Sequence, residues 1–81
     1  MTTLSFDLSG TACVKQGISL VIYDLRGRVV RTLIDSELDP GRHQVSWNGR
    51  DDSGRLAPSG FYLYTLKAGE TRITRKMLIS K

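Results

Sequence analysis

A single cysteine, Cys13, and a single histidine, His43, remove two kinds of chemistry from this 81-residue chain at the outset. One cysteine closes no internal disulfide and builds no cysteine-based zinc site, and one histidine supplies no metal-binding cluster. Long apolar runs are missing too. The longest runs are of four residues, as in Leu20-Val21-Ile22-Tyr23, far short of the ~20 residues that cross a bilayer, so no membrane insertion is expected. No window spaces apolar residues at helical period over three turns, which leaves strands and turns to make the fold. Nothing after Met1 has the make-up of a signal peptide. The chain reaches alternating residues almost at once after Thr2-Thr3, as a module taken from the end of a longer protein would.

What is present is ordinary for a folded domain: 40% hydrophobic residues, 25% charged and eight glycines. Residues 1–81 therefore read as one domain with one small core, exposing roughly 4,900 Å² by surface scaling. So small a core leaves little room for a deep reaction pocket, and no enzyme is expected. Twelve Lys and Arg, eight of them Arg, stand against eight Asp and Glu and give a net charge of +4. That excess raises the question of an anionic partner.

Period-two alternation marks the strands. Leu4-Ser5-Phe6-Asp7-Leu8 alternates apolar and polar side chains, and Ser9-Gly10 ends it. In Ile18 to Tyr23, Ile18, Leu20 and Ile22 share one face, while Val21 and Tyr23 take the other, the pattern of a central strand. Asp24-Leu25-Arg26-Gly27-Arg28 has an Asp to start a turn and a Gly for positive φ, and it leads into β-branched Val29 to Ile34 to make a hairpin. Pro40-Gly41 suits the centre of a type II turn. Then His43, Val45 and Trp47 share a face of the next strand, and Asn48 to Gly54 collects turn formers in a surface loop. Phe61 to Leu66 is the strongest strand signal, with Tyr62, Tyr64 and Leu66 on one face, and Thr71 to Ile79 closes the series. Six or seven short strands separated by turns fit a small all-β, antiparallel, immunoglobulin-like (fibronectin III-like) β-sandwich. The core is expected at Leu20, Ile22, Trp47, Tyr62, Tyr64 and Leu66. The indole and phenol tips are expected to reach backbone partners.

Chemistry-bearing constellations are sparse. Asn48, Asp51 and Asp52 place oxygen ligands close together as a calcium site would, but the EF-hand spacing and its closing Glu are absent, and a self-bonded turn is the expected use of these residues. Adjacent Asp51 and Asp52 do not flank a sugar ring from two sides, which excludes paired-carboxylate glycosidase chemistry. There is no G-x-S-x-G nucleophile elbow and no phosphate-cradling glycine loop. No metal or other cofactor is expected. Arg26, Arg28 and Arg31 gather on one hairpin, and Arg72, Arg75, Lys76 and Lys81 on the last strand. Interspersed acids and missing recognition motifs make this basic surface a set of guarded strand edges before a nucleic-acid footprint. Tyr23 and Phe61 project away from the core face, where two aromatics mark a domain contact more often than a saccharide platform.

Several segments taken in order form a recognisable series. They are Ile22-Tyr23-Asp24-Leu25-Arg26-Gly27-Arg28, Pro40-Gly41-Arg42-His43, Trp47-Asn48-Gly49-Arg50-Asp51-Asp52-Ser53-Gly54, Ser59-Gly60-Phe61-Tyr62-Leu63-Tyr64 and Thr74-Arg75-Lys76-Met77-Leu78-Ile79. With W-x-G-x-D-x-x-G followed by S-G-x-Y-x-Y at this spacing, the chain strongly resembles the Ig-like domain shared by the flagellar hook-capping protein and the C-terminal sorting domains of secreted bacterial proteins. The segment Gly10 to Gly17 is a few residues longer than the family's usual connection.

The resemblance implies a non-catalytic domain that works by protein recognition. Its leading implication is a C-terminal sorting or accessory module read by the type IX secretion machinery, secreted or at the cell surface by way of the periplasm. Arg75, Lys76 and Lys81 are then the expected recognition residues. The alternatives are a hook-cap-like assembly scaffold and a carbohydrate- or polyanion-binding module. Partners are expected among secretion or assembly proteins and the rest of the parent chain, with the isolated domain a monomer.

Overall fold

In the computed structural model, which describes residues 2–7, 16–39 and 41–79, the alternating segments form six antiparallel strands. They are β1 (Thr2–Asp7), β2 (Gln16–Tyr23), β3 (Val29–Leu38), β4 (Arg42–Trp47), β5 (Gly60–Ala68) and β6 (Thr71–Ile79). β1 and β4 make a two-stranded sheet, and the other four make a second sheet in the order β3-β2-β5-β6. The arrangement is an all-β sandwich. Leu8, Cys13, the rest of the 8–15 connection, Pro40 and Lys81 lie outside the described residues.

β2 owes its central place to its two faces. Ile18, Leu20 and Ile22 are at most 2% exposed, and across the sheet they sit beside Ala68, Leu66 and Tyr64 of β5. Leu4 from β1 and Trp47 from β4 close the same cluster from the small sheet, with Tyr62, Leu66, Ala57, Ala68 and Ile79 completing it. Tyr64 packs against the cluster while partly buried. Trp47 is 1% exposed and meets the Tyr62 ring edge-on, with centroids 5.6 Å apart and planes at 76°. Burying each of these large side chains contributes about 1.5–3 kcal/mol, which makes this cluster the main source of stability.

β3 departs from the sequence reading. Its strand runs on through Asp35, Ser36 and Glu37 to Leu38 instead of ending at Ile34, pairing with the first half of β2. A strand on the edge of a sheet shows both faces to water in this stretch, so polar residues continue it without alternation. The register slips between Leu20 and Val21 and again between Ile22 and Tyr23, which puts extra residues into β3. These bulges explain why neighbours such as Val30 and Arg31 are both half-buried, breaking the period of two.

The two sheets differ in extent. Strands of six residues in the small sheet face strands of eight to ten in the large one. Along β6, every residue from Thr71 to Lys76 is exposed, and Ile73 on the core-facing side is 40% exposed. The accessible surface is 5504 Å², above the figure expected from length.

Candidate functional site

Two turns of the same design frame one end of the sandwich. In the β2–β3 turn, Asp24 N–H donates to the Arg28 carbonyl at 2.9 Å and Gly27 N–H to the Asp24 carbonyl at 3.0 Å. The Asp24 carboxylate accepts the N–H groups of Arg26 and Arg28, each at 2.9 Å on Oδ1. The loop after β4 repeats the pattern. Asp51 N–H donates to the Arg55 carbonyl at 2.8 Å, Gly54 N–H to the Asp51 carbonyl at 3.0 Å, and Asp51 Oδ1 accepts N–H from Ser53 at 2.9 Å and Arg55 at 3.0 Å. Both turns read Asp-x-x-Gly-Arg, and Gly27 and Gly54 take φ of 87° and 90°, where a Cβ would be strained.

The loop is anchored from beneath and from the side. Trp47 Nε1 donates to the Arg50 carbonyl at 2.8 Å, so the buried indole holds the loop by its polar tip. Asn48 Oδ1 accepts Arg50 N–H at 3.0 Å. Asp52 lies along the open edge of β3: its N–H donates to the Val30 carbonyl at 2.9 Å, and its Oδ1 accepts Thr32 N–H at 3.1 Å. Arg31 adds a bond from Nη1 to the Asp51 carbonyl at 3.2 Å. The loop thereby covers backbone groups that an edge strand otherwise leaves open to stray pairing. Tyr62 closes the frame, its hydroxyl donating to the Pro58 carbonyl.

This geometry assigns the loop oxygens. Asn48, Asp51 and Asp52, the trio that resembles a calcium site in sequence, each accept hydrogen bonds from nearby N–H groups, and no group of three or more metal-ligating side chains occurs among the described residues. Asp24 and Asp51 titrate below the ordinary aspartate value of 3.8, Asp24 chiefly through the Arg28 N–H and Asp51 chiefly through the Ser53 hydroxyl at 2.6 Å. Carboxylates held low in the fold stabilise it fully above 3.8, and that contribution is lost as pH falls through their lower folded-state values. Both groups are at the surface, so the effect is modest. Urea midpoints measured at neutral pH and at about pH 2.5 check this: the double variant Asp24→Asn, Asp51→Asn is expected to lose less on acidification than the parent. An equal loss would contradict the assignment.

The last strand does not gather its cations. Arg75 and Lys76 are successive residues of β6, opposite Tyr64 and Leu63, and so project from opposite faces of the sheet. Lys76 Nζ sits 4.5 Å over the Phe61 ring. Lys81 lies outside the described residues. The larger feature is one that strand patterning misses: an open depression of about 640 Å³ between the two matching turns, lined by Leu25, Val29, Leu56 and Phe61 among others. The repeated Asp-x-x-Gly-Arg at 24–28 and 51–55 is the sequence signal that points to it.

The family model of the FlgD Ig-like domain matches residues 2–72. This chain belongs to that family. It is 36% identical over 63 residues to the basal-body rod modification protein FlgD of Salmonella typhimurium, a stretch covering 75% of this chain and 27% of that protein. The Escherichia coli protein of the same name is 35% identical over the same length. The chain thus spans about a quarter of these curated relatives. The crystal structure of FlgD from P. aeruginosa shares the fold, with a TM-score of 0.69 over 94% of this chain and 57% of that one at 23% identity. The domain is an Ig-like, non-catalytic member of the FlgD family. Both Asp-x-x-Gly-Arg turns fall within the matched residues, and Arg75, Lys76 and Lys81 fall beyond them.

Proposed function

We propose that this chain is one Ig-like domain of a longer FlgD-type protein and serves as a structural scaffold in flagellar assembly outside the cytoplasm. The family match across residues 2–72, with relatives that are flagellar basal-body proteins, carries the reading. The geometry agrees with a scaffold: the carboxylates and amides of the turns are committed to their own backbone, so they position a rigid surface instead of reacting. Its partners on this reading are other flagellar assembly proteins and the remainder of the parent chain. Type IX sorting, the leading implication of the sequence resemblance, draws no support from the surface. The two described cations expected to be read by a secretion machine point to opposite faces, and both lie past the matched residues.

A reporter fusion tests the proposal. Residues 1–81 joined behind a periplasmic reporter, in a host with type IX secretion, are expected to stay in the periplasm with the domain attached. Reporter delivered to the medium with the domain removed would overturn the scaffold reading in favour of sorting.

A further inference from the structure

Exposed apolar side chains scattered singly are normal on a protein surface, but their concentration in one place is not. Among the described residues six large hydrophobic side chains are more than a third exposed, and five of them gather at one end. Leu25, Val29, Leu56 and Phe61, each 48–60% exposed, line the depression between the two Asp-x-x-Gly-Arg turns. Leu78, 61% exposed, sits directly opposite Phe61 on β6 and extends the same apolar surface. Only Ile73 lies elsewhere. The hydrogen bonds of the two turns fix the walls, so a partner would find this surface already formed.

The exposed charge around it is mostly cationic: Arg26, Arg28 and Lys76 are exposed, whereas Asp24 and Asp51 are partly buried. The acids lining the depression are Asp24 and Asp51. Both stay ionised but turn onto the turns' own donors: Asp24, its side chain 26% exposed, accepts two N–H groups and Arg28 Nε at 3.3 Å, and Asp51 accepts three donors through one oxygen. Arg26 forms no ion pair among the described residues, the Arg28 side chain remains 72% exposed, and Lys76 stands over the Phe61 ring. An apolar floor with a cationic rim complements a segment that carries apolar and carboxylate side chains together.

We propose that this end of the domain is a docking surface for an acidic, apolar segment of a partner protein. The inference goes beyond the assembly reading and does not depend on it. A polyanion without apolar groups leaves the floor in water, and an uncharged apolar segment leaves the arginines unused.

Nitrogen-15 amide spectra of the 81-residue chain, titrated with a short synthetic peptide of leucine, glutamate and serine, test it. Saturable shifts are expected in Asp24–Val30, Asp51–Tyr62 and the Lys76–Leu78 stretch of β6. Arg26→Glu and Leu56→Ser, both at exposed positions that leave the core intact, are each expected to weaken binding about tenfold with an unchanged melting temperature. Four results would overturn the proposal: no saturable shift, shifts confined to another face, an equal response to polyglutamate or duplex DNA, or an equal response to the same peptide with lysine in place of glutamate. Concentration-dependent shifts of these residues without peptide would assign the surface to a second copy and overturn it as well.

Discussion

Trp47→Ala is expected to remove about 3–5 kcal/mol of folding stability. The indole is 1% exposed, closes the sandwich from the small sheet and meets Tyr62 edge-on. Its removal leaves a cavity between the sheets that the four-stranded sheet cannot fill, because that sheet's registers are fixed on both sides of β2. A second loss follows at the surface. Without the Nε1 donor, the Arg50 carbonyl loses its bond at 2.8 Å and the loop loses its anchor. A domain this small has total stability near the lower end of the usual range, about 5 kcal/mol, so the variant should be largely unfolded at body temperature. Trp47→Phe separates the two effects. It keeps much of the ring packing and gives up the anchor bond, with an expected cost nearer 1 kcal/mol from the hydrogen bond. Urea denaturation followed by circular dichroism measures both, with the midpoint moving and the slope unchanged. An alanine variant that melts like the parent would mean that Trp47 faces solvent.

The fold's centre was legible because it obeys simple periods. Ile18, Leu20 and Ile22 alternate inward on a strand flanked on both sides, and Trp47 and Tyr62 carry polar tips that do find carbonyls, those of Arg50 and Pro58. Gly27 and Gly54 stand where positive φ is needed, as turn chemistry requires. What escaped the pattern has physical reasons as well. The extension of β3 through Asp35, Ser36 and Glu37 carries no alternation, since an edge strand here has no buried face to record. The bulges in β3 depend on pairing with β2 and have no local mark. Asp52 looks like any loop acid until the topology lays it against the Val30 and Thr32 backbone.

The candidate site was less legible than the core, and for a related reason. Leu25 comes from a turn some thirty residues before the loop and strand start that hold Leu56 and Phe61, and only the sandwich brings them to one depression. Phe61 stands out in the sequence as an aromatic on the outer face, but Leu25 and Leu56 individually are ordinary exposed apolar residues. By contrast, the faces of the last strand were legible, because period two alone puts Arg75 on the side of Ile73, Met77 and Ile79 and Lys76 on the other. The pairing of Arg75 with Tyr64 and of Lys76 with Leu63 agrees with that alternation. The recurring Asp-x-x-Gly-Arg was the overlooked sign. Two turns with the same backbone hydrogen bonds mark the end of the sandwich where the exposed apolar residues gather.

The largest functional effect is expected from exchange of this domain into a living flagellar system. In Salmonella typhimurium FlgD, the 63-residue stretch that matches this chain at 36% identity would be replaced by the corresponding stretch of this chain. Swimming would be compared with strains carrying FlgD without that stretch and carrying the exchange with Trp47→Ala. The scaffold account predicts that the exchange restores swimming well above the deletion, and that Trp47→Ala abolishes the gain because the domain no longer folds. A chimera that accumulates and is exported like the native protein yet swims no better than the deletion would contradict the assembly function.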